Sequence, residues 1–270
     1  MTLCRGLYRI KPVFIEQPAR FLRWIYPNAV WRMDPSVKAI YLTFDDGPIP
    51  EATPFVLDTL ARYGIRATFF VVGDNVRKHP VVFRAVVEAG HCIGNHTYNH
   101  IGGFRWPSEQ YLENTEKAQE IIETMTKSSL TDSPPTLPVR EGAVTCNSVS
   151  PLPPKDSAPS LTGRAGGESV RGGGGEAFLF RPPHGWMRTM QYRIIRSRGY
   201  RIIMWDLVTR DYSRRLTAED VLENVKRYTR NGSIITFHDS LRSIDKLRKI
   251  LPTALEWLIN EGYEFRVFDC

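Results

Sequence analysis

The chain has 270 residues, 42% of them hydrophobic and 24% charged, enough to bury one large core and short for two full domains. Its net charge of +7 at pH 7 sits chiefly at the N-terminus, where residues 1–38 hold seven Lys or Arg against Glu16 and Asp34. No nucleic-acid-reading motif accompanies that charge, so a nucleic-acid partner is not expected. Four scattered cysteines, Cys4, Cys92, Cys146 and Cys270, argue against a zinc knuckle and a dense disulfide framework and leave reduced thiols as the expectation.

Residues 1–38 read as a basic, aromatic arm. Its first 33 residues hold no uninterrupted apolar run followed by a small-residue cleavage site, and no stretch approaches the length of a membrane span. Both absences lead to the expectation of a cytoplasmic protein, at the inner face of the membrane. Phe21, Trp24, Tyr26 and Trp31, interleaved with Arg20, Arg23 and Arg32, suit peripheral membrane contact. The plainer reading, an arm that docks on the domain and closes one end of it, is favoured.

From residue 39 onward, apolar runs of strand length alternate with patterns of helical period. Strands are predicted at 39–44, 67–72, 91–95, 178–181, 200–205, 233–237 and 263–268. Between them helices are predicted at 54–63, 81–89, 108–125, 189–198, 218–229 and 244–259. Gly64, Gly90, Gly199, Gly232 and Gly262 stand just past helices or before strands, where a left-handed cap belongs. Strand-helix alternation implies a parallel sheet of βα units, and seven strands make an incomplete relative of the eightfold barrel. Residues 127–176 break the pattern: seven Pro, eight Gly and eight Ser, with no aromatic residue, cannot offset their ordering entropy. They read as a flexible insertion on the face where strands begin, remote from chemistry at the opposite face.

Chemistry-bearing residues cluster just past the predicted strand ends. Asp45 and Asp46 are adjacent carboxylates that repel unless a cation sits beside them; a solvated Asp-Gly turn is the bland alternative. His96 and His100 are spaced i, i+4, so that one helical turn would aim both imidazoles at one ion. Two histidines and one carboxylate leave coordination positions open, as catalytic metal sites do. His79 and His91 lack such partners and read as structural. Arg181, followed by a Pro-Pro turn and His184, can hold a carboxylate in a bidentate fork. The fifth strand ends at Asp206, with Asp211 in the loop beyond, and the sixth ends at His238, which a neighbouring aspartate would keep protonated as a general acid.

The ordered motifs TFDDGP, HTYNH, RPPHG, WD and FHD resemble the polysaccharide deacetylase family, carbohydrate esterase family 4, over residues 39–268 outside the insertion. The resemblance implies an α/β fold, a distorted (β/α)7 barrel, and a hydrolase that removes N-acetyl groups from amino sugars of a poly- or oligosaccharide or a glycan precursor. It implies Asp46, His96 and His100 as ligands of one divalent ion, zinc before cobalt, nickel or manganese, and an N-acetylated glycan as partner. Asp45 corresponds to the family's base, Arg181 to the arginine that positions it, and His238 to the general acid. His184 replaces the usual Tyr whose backbone N–H helps form the oxyanion hole, a donor that survives a side-chain change. Val208 stands where the fourth motif usually begins with Asp, which leaves the partner of His238 open between Asp206 and Asp211; Asp206, directly ending a strand, is favoured. An O-acetyl esterase with the same site and a catalytically silent carbohydrate-binding barrel are the alternatives. Oligomeric state has no signal in the sequence.

Overall fold

The computed structural model describes residues 16–18, 21–131 and 178–268. Eight strands form one parallel sheet: β1 (Ala39–Asp45), β2 (Thr68–Val71), β3 (Cys92–Asn95), β4 (Leu179–Phe180), β5 (Arg201–Ile202), β6 (Leu207–Val208), β7 (Ser233–His238) and β8 (Glu264–Phe265). Their order is β5-β4-β3-β2-β1-β7-β6, with β8 pairing the first residues of β1. The helices are α1 (Leu22–Ile25), α2 (Thr53–Arg62), α3 (Gly73–Lys78), α4 (Pro80–Glu88), α5 (Ser108–Thr131), α6 (Thr189–Ser197), α7 (Ala218–Tyr228) and α8 (Ile244–Asn260). The curled parallel sheet with its helices is the distorted (β/α) barrel that the sequence leads one to expect.

β1 explains why the sheet is organised as it is. Every residue from Ala39 to Asp45 is buried, as in a central strand of a parallel sheet covered on both faces, and for that reason the strand reads as an unbroken apolar run. Phe44 stacks on Phe69 of β2 and Phe237 of β7 at 5.1 and 5.8 Å between ring centroids, one layer across three strands in register. Amphipathic α2, α7 and α8 pack on that core through Val56, Leu60, Val221, Val225, Leu251 and Leu255, and α3, α4 and α5 add Val76, Phe83, Val86 and Ile122. The glycines at the predicted caps all take positive φ, the backbone conformation for which a missing Cβ is the condition.

Four expectations need correcting. The fifth strand is shorter than the predicted 200–205, and β6 follows it as an eighth strand of two residues, too brief to leave a periodic pattern. Short α3 was likewise absent from the sequence reading. Helix α5 runs past the expected end at Met125 to Thr131, so 127–131 belong to a helix and the insertion begins later; residues 132–177 lie outside the described residues. Cys92 is disulfide-bonded rather than reduced, because spacing along a chain says nothing of distance in space.

The described part of the N-terminal arm lies along the seam between the sheet's two ends. Val30 forms a parallel bridge with Ile203, donating its N–H to Ile202 O at 2.8 Å and accepting that of Met204 at 2.8 Å. Met33 N–H bonds Gly232 O beside β7 at 2.8 Å, and Tyr26 and Trp31 are buried against Met187, Tyr192 and Met204. No described helix is long and apolar enough to cross a membrane.

Candidate active site

Asp45 ends β1 opposite Phe70 of β2 and His238 of β7. The chain then turns sharply: Asp46 sits at φ 81°, a left-handed conformation that a non-glycine residue adopts only when its surroundings hold it there. Asp239 provides that hold. Its Oδ1 accepts the Gly47 N–H at 3.0 Å, its Oδ2 accepts the Thr53 hydroxyl at 2.6 Å, and its own N–H donates to Asp45 O at 3.0 Å. A Cβ at position 47 would lie 2.0 Å from Asp239 Oδ2, so only glycine fits there. Burial pushes the Asp239 carboxyl up to about 8 despite those donors. The sequence gives no hint of this anchoring role beyond the aspartate's place after His238.

The two candidate histidine ligands leave β3 on a loop instead of the helical turn that their spacing suggests. Thr97 and His100 take φ of 63° and 54°, and Asn95 Oδ1 accepts the Thr97 N–H at 2.8 Å, a tight side-chain turn that brings the rings to 5.0 Å. His96 is buried, with Nδ1 2.7 Å from Arg181 O. A carbonyl only accepts, so Nδ1 carries the proton and Nε2 is left with its lone pair facing Asp46. Burial first, and then neighbouring His100, hold the His96 imidazole well below its usual titration range, hence neutral as a metal ligand must be.

Asp46 Oδ1 lies 3.1 Å from His100 Nε2 and 3.8 Å from His96 Nε2, and donor atoms of the three side chains fall within 4.8 Å of one another. Asp46 Oδ1 is nonetheless buried without a hydrogen-bond partner. Burial works against its charge, but His100, His238 and His96 hold the carboxyl below the ordinary carboxylate range. An orphaned buried carboxylate oxygen facing two imidazoles fits one divalent cation.

Arg181 directly follows β4 and is wholly buried. Its fork does not grip Asp45 twice as expected: Nη1 donates to Asp45 Oδ1 at 2.6 Å and to Thr43 Oγ1 at 2.7 Å, while Nη2 and Nε go to Met204 O and Ile203 O at 2.8 and 3.2 Å. The carbonyls beyond β5 claim the other donors because a buried guanidinium must satisfy all of them. The Phe70 ring lies beneath its central carbon at 4.1 Å. Burial raises the Asp45 carboxyl above the ordinary range, against the pull of Arg181 and His238.

His238 ends β7, and its partner is Asp211, not the favoured Asp206. Asp211 Oδ1 lies 2.8 Å from His238 Nδ1, and Oδ2 accepts the His238 backbone N–H at 2.7 Å. Burial opposes a charge on His238, yet Asp211, aided by Asp46 and Asp45, pushes the imidazole up to about 9. Asp206 faces the other end of the sheet, where it binds Arg230 at 2.5 and 2.9 Å and Ser233 at 2.9 Å beside the first residue of β7. Its position in sequence misleads because β6 intervenes and carries the chain back up to the rim before Asp211. His184, at φ 60° in a single 3-10 turn (Pro183–Gly185), places its ring edge-on 4.9 Å from His100. Asp45, Asp46, His96, His100, His184 and His238 line one cleft of about 460 Å³, walled by Pro18, Leu22, Trp186, Trp205, Tyr212 and Arg242.

The family profile described as polysaccharide deacetylase matches residues 32–136, which include the Asp-Asp turn and both candidate histidine ligands. Over that part of its length the chain is similar to the polysaccharide deacetylase family. A peptidoglycan-N-acetylglucosamine deacetylase of Bacillus cereus is 26% identical over 255 residues, 92% of either chain. A chitooligosaccharide deacetylase of Rhizobium leguminosarum bv. trifolii is 52% identical over 61 residues, 23% of this chain and 28% of that one. The structure of Bacillus subtilis PdaA, a family 4 carbohydrate esterase, shares the fold with a TM-score of 0.67 at 20% identity, covering 93% of this chain and 89% of that one.

Proposed function

We propose that this chain is a divalent-metal-dependent hydrolase that removes N-acetyl groups from amino sugars of a glycan, releasing acetate. The observation that carries the reading is the pairing of a triad of two histidines and a carboxylate with a second carboxylate, Asp45, that lies outside that triad and is held by Arg181. Relatives named as deacetylases of peptidoglycan and chitooligosaccharide support it.

A divalent ion held by Asp46, His96 and His100, with zinc the first choice for that donor set, would supply Lewis acidity toward the acetamide and the attacking water. Asp45 takes the proton from that water; its contact with Arg181 fixes which oxygen is free to receive it. The backbone N–H of His184 would be the donor to the developing oxyanion, as its place in the third motif implies. His238, kept protonated by Asp211, gives its proton to the departing amine, which is too basic to leave as an anion. Balance is complete: water's proton goes to Asp45, its hydroxyl to the acetyl carbon, and the amine leaves with the proton of His238.

Acetate release from N-acetylglucosamine oligomers and from peptidoglycan fragments, with and without a chelator, tests the proposal. Release that a chelator stops and added zinc restores is expected. Release from O-acetylated sugars alone would move the assignment to an esterase, and release from neither would sink it.

A further inference from the structure

The cleft has a wall that the barrel does not supply. Pro18 and Leu22 of the N-terminal arm line it, and just upstream Glu16 is 4% exposed, an unusual place for a carboxylate. Two contacts hold Glu16 there. Its backbone O accepts the Val208 N–H at 2.9 Å, covering the open edge of β6, and its Oε1 accepts from Arg210 Nη1 at 2.7 Å. That ion pair is largely out of water, with side chains 15% and 6% exposed for Arg210 and Glu16.

Arg210 is the residue before Asp211, and its backbone sits at φ 63°. An L side chain in the left-handed region is strained and persists only where contacts impose it. On the far side of Asp211, Lys246 donates to Asp211 O at 3.1 Å and also to Ser213 O. On the near side, Thr209 is tied to Thr236 O through its N–H and hydroxyl at 3.1 and 3.0 Å. Residue 210 itself is gripped at two points: Ser213 N–H donates to its carbonyl at 2.9 Å, and the Glu16 carboxylate takes its guanidinium. A flip of that residue to negative φ would rotate the peptide that aims Asp211 at His238.

We propose that Glu16 is a positioning residue for the Asp211–His238 pair: by gripping Arg210 it holds the loop after β6 in the conformation that turns Asp211 toward His238. The inference rests on the reading of His238 as the proton donor to the leaving amine, and it makes the arm a part of the working site.

The test uses the full chain with zinc bound and three variants, Glu16→Gln, Arg210→Gly and the two combined. Turnover is followed on N-acetylglucosamine oligomers and on 4-nitrophenyl acetate, whose phenolate departs without a proton. Glu16→Gln should lower kcat on the oligomers by roughly tenfold with KM little changed, as small misplacements of a proton donor do. Hydrolysis of the aryl ester should stay as in the wild type. The His238 Nδ1 proton, observed by NMR in histidine-labelled protein, should shift and exchange faster with water. Glycine takes positive φ without strain, so Arg210→Gly in the Glu16→Gln background should recover much of the lost kcat. An unchanged Nδ1 resonance, or equal losses on both substrates with a lowered melting temperature, would reduce Glu16 to a structural prop and overturn the proposal. A wild-type protein that releases no acetate would sink the deacetylase reading, while the resonance, which needs no turnover, would still decide for or against Glu16.

Discussion

Two aspartates that look alike in sequence occupy opposite ends of the sheet, and they should fail differently when altered. Asp211→Asn removes the charge that faces His238 Nδ1, and kcat for acetate release should fall by roughly a hundredfold or more, the usual worth of a proton donor. Asp206→Asn loosens the contact with Arg230 and Ser233, costing about 1–3 kcal/mol in denaturant unfolding and leaving kcat intact. Equal effects on kcat would undo the assignment. His91, read from sequence as structural, is buried at the entry to β3 with Nδ1 accepting the Ala67 N–H at 3.2 Å. Burial, and secondarily Arg66, lower its imidazole from 6.5 to about 4. A histidine depressed in the folded state favours folding fully above its unfolded value, and that contribution drains away as pH falls from 6.5 through about 4. The loss should be on the order of 3 kcal/mol at most. Subtracting the pH–stability curve of His91→Gln from that of the wild type isolates it; parallel curves would show that His91 does not titrate this way.

At the scale of elements, the site depends on a layer that touches no substrate. A Cβ on Gly94 of β3 would stand 2.4 Å from the Phe70 ring, and that ring supports the Arg181 guanidinium that holds Asp45. Gly94→Ala should therefore destabilise by about 1–3 kcal/mol through overpacking and also lower kcat. Gly64→Ala has nothing within 4 Å of its new Cβ and meets only the positive φ of 63°, so it should cost stability alone. Equal kcat for the two variants would disconnect β3 from Asp45. The strand ends were legible from apolar runs and the helices from their period and glycine caps. The two-residue β6 was not, because two residues carry no period, and it is this strand that separates Asp206 from the rim and brings Asp211 to His238.

For the whole molecule, the three candidate ligands come from the turn after β1 and the loop after β3, so a cation held by them would tie together segments that separate on unfolding. At zinc concentrations a hundredfold above Kd the folded state should gain about 2.7 kcal/mol. A melting temperature higher by roughly 5–10 °C would register that gain. His96→Ala should abolish the rise. Asp45→Asn should keep it while acetate release falls by about two to four orders of magnitude, since the proposed mechanism gives Asp45 a proton to take and no place among the ligands. A lost metal response in Asp45→Asn would merge the two roles.

The sequence alone singled out most of the candidate site: adjacent carboxylates, closely spaced histidines and an arginine just past a buried strand announce themselves because strand ends in a parallel barrel share one rim. It also set the barrel class, through the alternation of buried strands and amphipathic helices. Tertiary structure decided the pairings. That His96 and His100 converge from a left-handed loop, that Arg181 divides its donors between Asp45 and the carbonyls beyond β5, and that Asp211 reaches His238 all depend on contacts between residues far apart in the chain. Local patterns fix what an element is; only the packed sheet fixes which side chains meet, because hydrogen bonds and burial act through space and not along the chain.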